Sequence, residues 1–125
     1  MAKKKREPKL RCIAYLSVNG DGRTVEKKEE KQLRYIKEYA KAHNIEIVKV
    51  AHRNILSQYE VNRHFNALVA KIRAGEIDGI ITSHILAVSD GVADAYLKVG
   101  KVREVGGYMV TVDEGKLDMN LHLPE

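Results

Sequence analysis

With 125 residues and 44% hydrophobic content, the chain is long enough for one domain with a real core, and wholesale disorder is excluded. Aromatics make up only 6% and Trp is absent, so that core must rest on Ile, Val, Leu and Ala. The net charge of +5 is concentrated at one end: Lys3, Lys4, Lys5, Arg6, Lys9 and Arg11 against the single Glu7 account for all of it, and residues 12–125 are formally neutral. The body carries no net basic charge, so any basic contact surface on it is a local patch.

Residues 1–10, around Pro8, therefore read as a flexible basic arm. It serves either to contact a phosphate backbone without reading sequence or as a solubilising terminus. Residues 11–125 form the domain. Cys12-Ile13-Ala14-Tyr15-Leu16-Ser17-Val18 is a short apolar run suited to a buried strand, and Asn19-Gly20-Asp21-Gly22 is a dense turn signal. Thr24 offers an N-cap, with Glu26 in the first turn, for a helix from Val25 to about His43. Val25, Leu33, Ile36 and Ala40 share its apolar face, and Asn44 stops it. Ile45 to Ala51 is a second strand, rich in β-branched residues, and His52 to Glu60 is polar and loop-like.

A second helix is predicted over Val61 to Ala74, closed by Gly75, with Phe65, Leu68, Val69 and Ile72 inward. Ile77 to Thr82 is the third strand. The third helix spans Gly91 to Val105, with Ser89 as its N-cap and Asp90 in its first turn. Gly106-Gly107 ends it, and Tyr108 to Val112 is the fourth strand. From Leu117 to Leu123 apolar and polar residues alternate, and Asp113 to Lys116 can turn the chain, so a last strand antiparallel to the fourth is expected. Alternating strands and helices with short connections imply a mostly parallel four-stranded sheet, helices on both faces, and the C-terminal antiparallel strand added: a flavodoxin-like, three-layer α/β domain.

Few residues look like chemistry. The lone Cys12 lies in an apolar run, which fits a buried thiol in a reducing cytoplasm. His43, His52, His64, His84 and His122 are scattered without metal-ligand spacing, so they read as surface or loop residues, and neither a metal nor a cofactor is expected. Tyr35 and Tyr39, at i and i+4, suggest one aromatic edge packed against a neighbour or, equally, part of an interface. Gly20, Gly22, Arg23 and Thr24 lie between a strand and a helix start, where anions bind readily, with Lys28 near enough to assist; a bare connecting turn is the alternative. No apolar stretch approaches the ~20 residues needed to span a bilayer, so no membrane partner is expected.

Three stretches in order resemble the catalytic domain of serine recombinases of the resolvase and invertase type. They are Arg11 to Tyr15 with Gln32-Leu33-Arg34 and Tyr39-Ala40 through Val48; Phe65-Asn66-Ala67-Leu68 through the Arg73-Ala74-Gly75-Glu76-Ile77-Asp78 run; and Val105-Gly106-Gly107 through Val112-Asp113-Glu114-Gly115. Together they cover most of residues 11–115. The resemblance implies a resolvase-like fold, DNA as the substrate, and a Tyr-x-Arg-x-Ser strand end whose Ser attacks a phosphodiester.

Here that frame reads Tyr15-Leu16-Ser17-Val18-Asn19, with Ser17 in place of the Arg and Asn19 in place of the nucleophile. The family's Asp-Arg-Leu-Ser-Arg motif falls on Leu86-Ala87-Val88-Ser89-Asp90, so only Ser89 is kept. A further arginine falls on Asn62, with Arg63 one place off. An Asn amide cannot supply the oxygen nucleophile, and losing even one stabilising donor typically costs ~10²–10³ in rate. The expectation is a recombinase-like domain without strand cutting and without a separate DNA-binding domain. It would modulate recombination or integration of a mobile element by binding DNA through its arm, by self-association, or by pairing with a co-encoded recombinase. The alternatives are a nucleotide or small-ligand sensor built on the Gly20–Thr24 turn and an enzyme that uses Ser17.

Overall fold

A computed structural model describes residues 9–17, 22–52, 58–85 and 88–117. The elements follow in the order β1 (Leu10–Leu16), α1 (Gly22–Ala42), β2 (Ile45–His52), α2 (Gln58–Arg73), β3 (Gly79–Thr82), α3 (Val92–Glu104), β4 (Tyr108–Thr111) and β5 (Gly115–Leu117). They build one five-stranded sheet in the order β2-β1-β3-β4-β5. The first three pairings are parallel and only β4–β5 is antiparallel. This is the expected α/β architecture. No helix among the described residues is long and apolar enough to cross a membrane.

β1 is the spine of the sheet, because it pairs on both sides and both of its faces are covered. Cys12, Ala14 and Leu16 pack against Ile36 and Ala40 of α1, together with Ile45, Ile81 and Val110. Ile13 and Tyr15 face the other way, into Val61, Phe65 and Ile72 of α2 and Val99 and Val102 of α3. A strand buried on both faces needs the near-continuous apolar run that the sequence shows. The β1–β2 ladder slips between Cys12 and Ile13, pairing Cys12 with Ile47 and Ile13 with Lys49. Val48 falls in that slip and is exposed.

The helix stops come from left-handed residues. Asn44 (φ 59°) ends the turn after α1, and Gly75 (φ 79°) closes α2. At Gly75 the Gly75 N–H donates to Ile72 O and the Glu76 N–H to Lys71 O, a Schellman closure that satisfies two otherwise orphaned carbonyls.

Several boundaries and caps differ from the sequence expectation. α1 begins at Gly22, so Thr24 lies inside its first turn rather than capping it, and that turn has no acidic residue, with Glu26 one place beyond it. α2 starts at Gln58, within the stretch read as loop, because Glu60 in its first turn complements the helix dipole. Ile77 is buried but precedes β3, which is only four residues long. The N-cap of α3 is Gly91, with no side-chain cap bond; Ser89 is buried and Asp90 lies outside the helix. Asp94, in the first turn of α3, instead accepts the Asp90 N–H through Oδ2 at 2.8 Å. Tyr39 stacks on His43, with ring centroids 3.9 Å apart, while Tyr35 is half exposed, so the expected single aromatic edge does not form. The last strand is present but starts at Gly115, and the remainder of the predicted alternation, residues 118–123, lies outside the described residues.

Candidate functional site

The carboxyl ends of β1 and β3 lie side by side, and α1 ties them together with one side chain. Gln32 Oε1 accepts the Ser17 N–H at 2.9 Å, while its Nε2 donates to Ser17 O at 3.0 Å and to Ser83 Oγ at 2.9 Å. An amide both accepts and donates, so Gln32 pairs with the Ser17 backbone as a neighbouring strand would. Thr82 Oγ1 donates to Tyr15 O at 2.9 Å, a second tie between the same two strands.

Beyond β3 the chain meets the β4–β5 turn. Asp113 N donates to Ser83 O at 3.1 Å, extending the ladder. Glu114 is held at three points: its N–H donates to Thr111 Oγ1 (2.8 Å), its Oε2 accepts from Thr111 Oγ1 (2.7 Å), and its Oε1 accepts the Ile85 N–H (3.2 Å). His84 Nδ1 lies 2.7 Å from Glu114 Oε1 and 3.6 Å from Asp113 Oδ2. His84 is therefore no isolated surface histidine: the fold sets it beside two carboxylates some thirty residues away in sequence.

A second polar group lies between α2 and α3. Lys98 is 3% exposed. Its Nζ donates to Asn62 Oδ1 at 2.9 Å, contacts Asp94 Oδ2, and sits 5.7 Å from the centre of the Phe65 ring. Burial pushes the Asp94 carboxyl up, but the Lys98 hydrogen bond, the Asp90 N–H and the charges of Lys98 and Lys101 together hold it below the ordinary carboxylate value. Tyr59, Arg63, Leu97 and Lys101 border this cleft of about 290 Å³. Asn62, where the resemblance expects an arginine, is thus hydrogen-bonded to an ammonium supplied by α3.

Among the described residues, the structure does not bring the expected site residues together. Ser17 is at the strand ends, joined to Ser83 through Gln32. Asn62 and Arg63 lie in the α2–α3 cleft, and Arg63 is exposed. Ser89 is buried and Asp90 exposed in the segment leading into α3. Lys9 is exposed just before β1, and Gly22, Arg23 and Thr24 open α1. Lys3, Lys4, Lys5, Arg6, Asn19, Gly20, Leu86, Ala87 and His122 lie outside the described residues.

Sequence reasoning missed Gln32, His84 and Glu114 as a polar group. Gln32 did leave a signal, since it stands at i−4 and i−8 from the buried Ile36 and Ala40 and so interrupts an inward stripe with an amide. The meeting of His84 with Glu114 depends on the β3–β4 register and had no local signature.

No protein-family model matches the chain, and comparison with curated proteins returned no match. Solved structures do resemble it. A resolvase family site-specific recombinase from Streptococcus pneumoniae superposes with a TM-score of 0.68 at 17% identity, covering 86% of this chain and 74% of that one. The N-terminal catalytic domain of TP901-1 integrase gives 0.69 at 16% identity, covering 84% and 79%. The C-terminal catalytic domain of ISC1926 TnpA, an IS607-like serine recombinase, gives 0.61 at 17% identity, covering 82% and 67%. The chain has the fold of the serine recombinase catalytic domain.

Proposed function

We propose that this chain is a recombinase-like domain that takes part in DNA recombination or integration without cutting strands itself, modulating the reaction by binding DNA or a recombinase in the cytoplasm. The observation that carries this reading is the polar group at the carboxyl ends of β1 and β3. Phosphoryl transfer by a side-chain oxygen needs cations preorganised around the phosphate. Ser17, which the resemblance sets at the family's arginine, has its backbone held by the neutral Gln32, which also reaches Ser83, and among the described residues the nearby β4–β5 turn contributes two carboxylates. The one cation buried in the α2–α3 cleft among the described residues, Lys98, is already committed to Asp94 and Asn62. A scaffold kept with this substitution suits a partner of an active recombinase better than an independent nuclease.

The test is to incubate the chain with nicked suicide DNA substrates, then with a recombinase encoded beside it. No covalent protein–DNA adduct should form, and the recombinase's product yield or topology should change. A covalent adduct at Ser17, or a complete lack of effect on both DNA and recombinase, overturns the reading. A thermal-shift screen against nucleotides separates it from a sensor domain, which they would stabilise.

A further inference from the structure

We infer that His84, Asp113 and Glu114 form a binding site for one divalent transition-metal ion at the carboxyl edge of the sheet. The three side chains offer an imidazole nitrogen and two carboxylate oxygens, all within 4.8 Å of one another. One nitrogen and two oxygens suit a borderline ion such as Zn²⁺, Co²⁺ or Mn²⁺ better than Mg²⁺ or Ca²⁺, which favour all-oxygen shells.

Two features separate this group from an ordinary surface ion pair. Glu114 Oε1 lies 2.7 Å from His84 Nδ1 and Asp113 Oδ2 3.6 Å, close enough for one ion to bridge them, yet that buried nitrogen has no hydrogen-bond partner among the described residues. An ion held between the three groups would give Nδ1 the partner it lacks. The charge is also unbalanced: two carboxylates face one imidazole, and among the described residues no lysine or arginine forms an ion pair with either. A dication removes that imbalance.

The surroundings are preorganised as metal ligands require. Thr111 Oγ1 and the Ile85 N–H fix the Glu114 carboxylate, and each of its oxygens keeps a second lone pair. The backbone bond from Asp113 N to Ser83 O fixes the second ligand's main chain against β3. Three protein ligands leave at least one position for water or an oxygen ligand, the pattern of open rather than purely structural sites. A metal here places positive charge at the carboxyl edge of the sheet, whether or not the chain acts on DNA.

The test uses the full, untagged chain after chelator treatment, titrated with ZnCl₂ and separately with CoCl₂. Calorimetry should show saturable one-to-one binding, the melting temperature should rise, and Co²⁺ should develop visible d–d absorption. H84A and D113N should each weaken binding at least about tenfold, as losses around metal sites do. H52A, which alters the separate Glu29–His52 pair, should leave it unchanged. Asp113 is well exposed, so D113N remains informative even if H84A folds poorly. Failure to saturate, binding undiminished in both variants, or binding lost in H52A instead would each overturn the site.

Discussion

The two ends of the sheet tell opposite stories. At the amino end of β1 and β3, residues of the recognisable Arg73-to-Asp78 run do structural work. Gly75 closes α2 and its carbonyl accepts a hydrogen bond from the Arg11 guanidinium at 3.0 Å. Asp78 Oδ2 accepts the Arg11 N–H at 2.8 Å, and the Asp78 N–H donates to Arg11 O at 2.7 Å. At the carboxyl end the described residues are a glutamine clamp, two serines, a histidine and two acids. The amino end thus uses its polar groups to lock strands and helix together, whereas the carboxyl end gathers them around two acids.

The strongest way to break the comparison is to damage the structural end. A Cβ on Gly79 would lie 2.3 Å from Tyr108 O, a backbone atom in the paired strand. Gly79→Ala must therefore push β3 and β4 apart, and we expect a loss of about 3 kcal/mol or more, read as a fall of roughly 10 °C in Tm. Gly75→Ala is the control. It meets nothing within 4 Å and carries only the strain of φ 79°, on the order of 1 kcal/mol. Equal effects from the two would show that the close approach at Gly79 is unimportant.

At the other end the largest effect belongs to Gln32. Gln32→Ala removes three hydrogen bonds and leaves the half-buried Ser17 amide without its protein acceptor. The expected cost is about 2 kcal/mol in urea unfolding, with faster hydrogen exchange at the Ser17 amide. Gln32→Glu tests the direction of the bonds, since an ionised carboxylate still accepts from Ser17 but cannot donate to Ser17 O or Ser83. An alanine variant as stable as the parent would reduce Gln32 to a bystander.

A smaller effect should appear in acid. The Arg11 backbone N–H, and then its guanidinium, hold the Asp78 carboxyl below its ordinary value against the opposing push of burial. Because the folded value lies below the unfolded one, the stabilisation is complete above about pH 4 and is lost as pH falls through the folded value. Asp78→Asn should thus be less stable by about 1 kcal/mol at pH 7 and lose less than the parent below pH 4. Parallel pH profiles for the two proteins would remove Asp78 from the account.

The same contrast explains what could be read from the chain in advance. Strand and helix order, the double burial of β1 and the stops at Asn44, Gly75 and Gly106 all have local signatures, in apolar period or left-handed residues. The helix starts did not: α1 already begins two residues before Thr24, and α3 is capped by Gly91 without a side-chain bond rather than by Ser89. The cleft pairing Lys98 with Asn62 joins residues 36 apart, and the Gln32–Ser83 bond joins residues 51 apart. Such contacts follow from which helix crosses which face, and no local pattern encodes them.

Cys12 can ask whether the two ends open together. It is fully buried in β1, between Ile47 and Gly79, and burial, followed by the nearby Asp78 charge, pushes its thiol up to about 12. At pH 8 it should resist thiol reagents in the native protein, since the thiolate is the reactive form and no reagent reaches it. Labelling then requires β1 to leave both neighbours, an event expected to cost the full stability of the domain. On that basis Gln32→Ala, although it acts at the opposite end, should accelerate labelling of Cys12 by about 30-fold for its 2 kcal/mol. Gly79→Ala should accelerate it more. If the urea midpoint of the glutamine variant falls while its labelling rate stays at the parental value, the carboxyl end of the sheet frays by itself, and the polar group there is a locally unstable cap on a separately stable β-sheet.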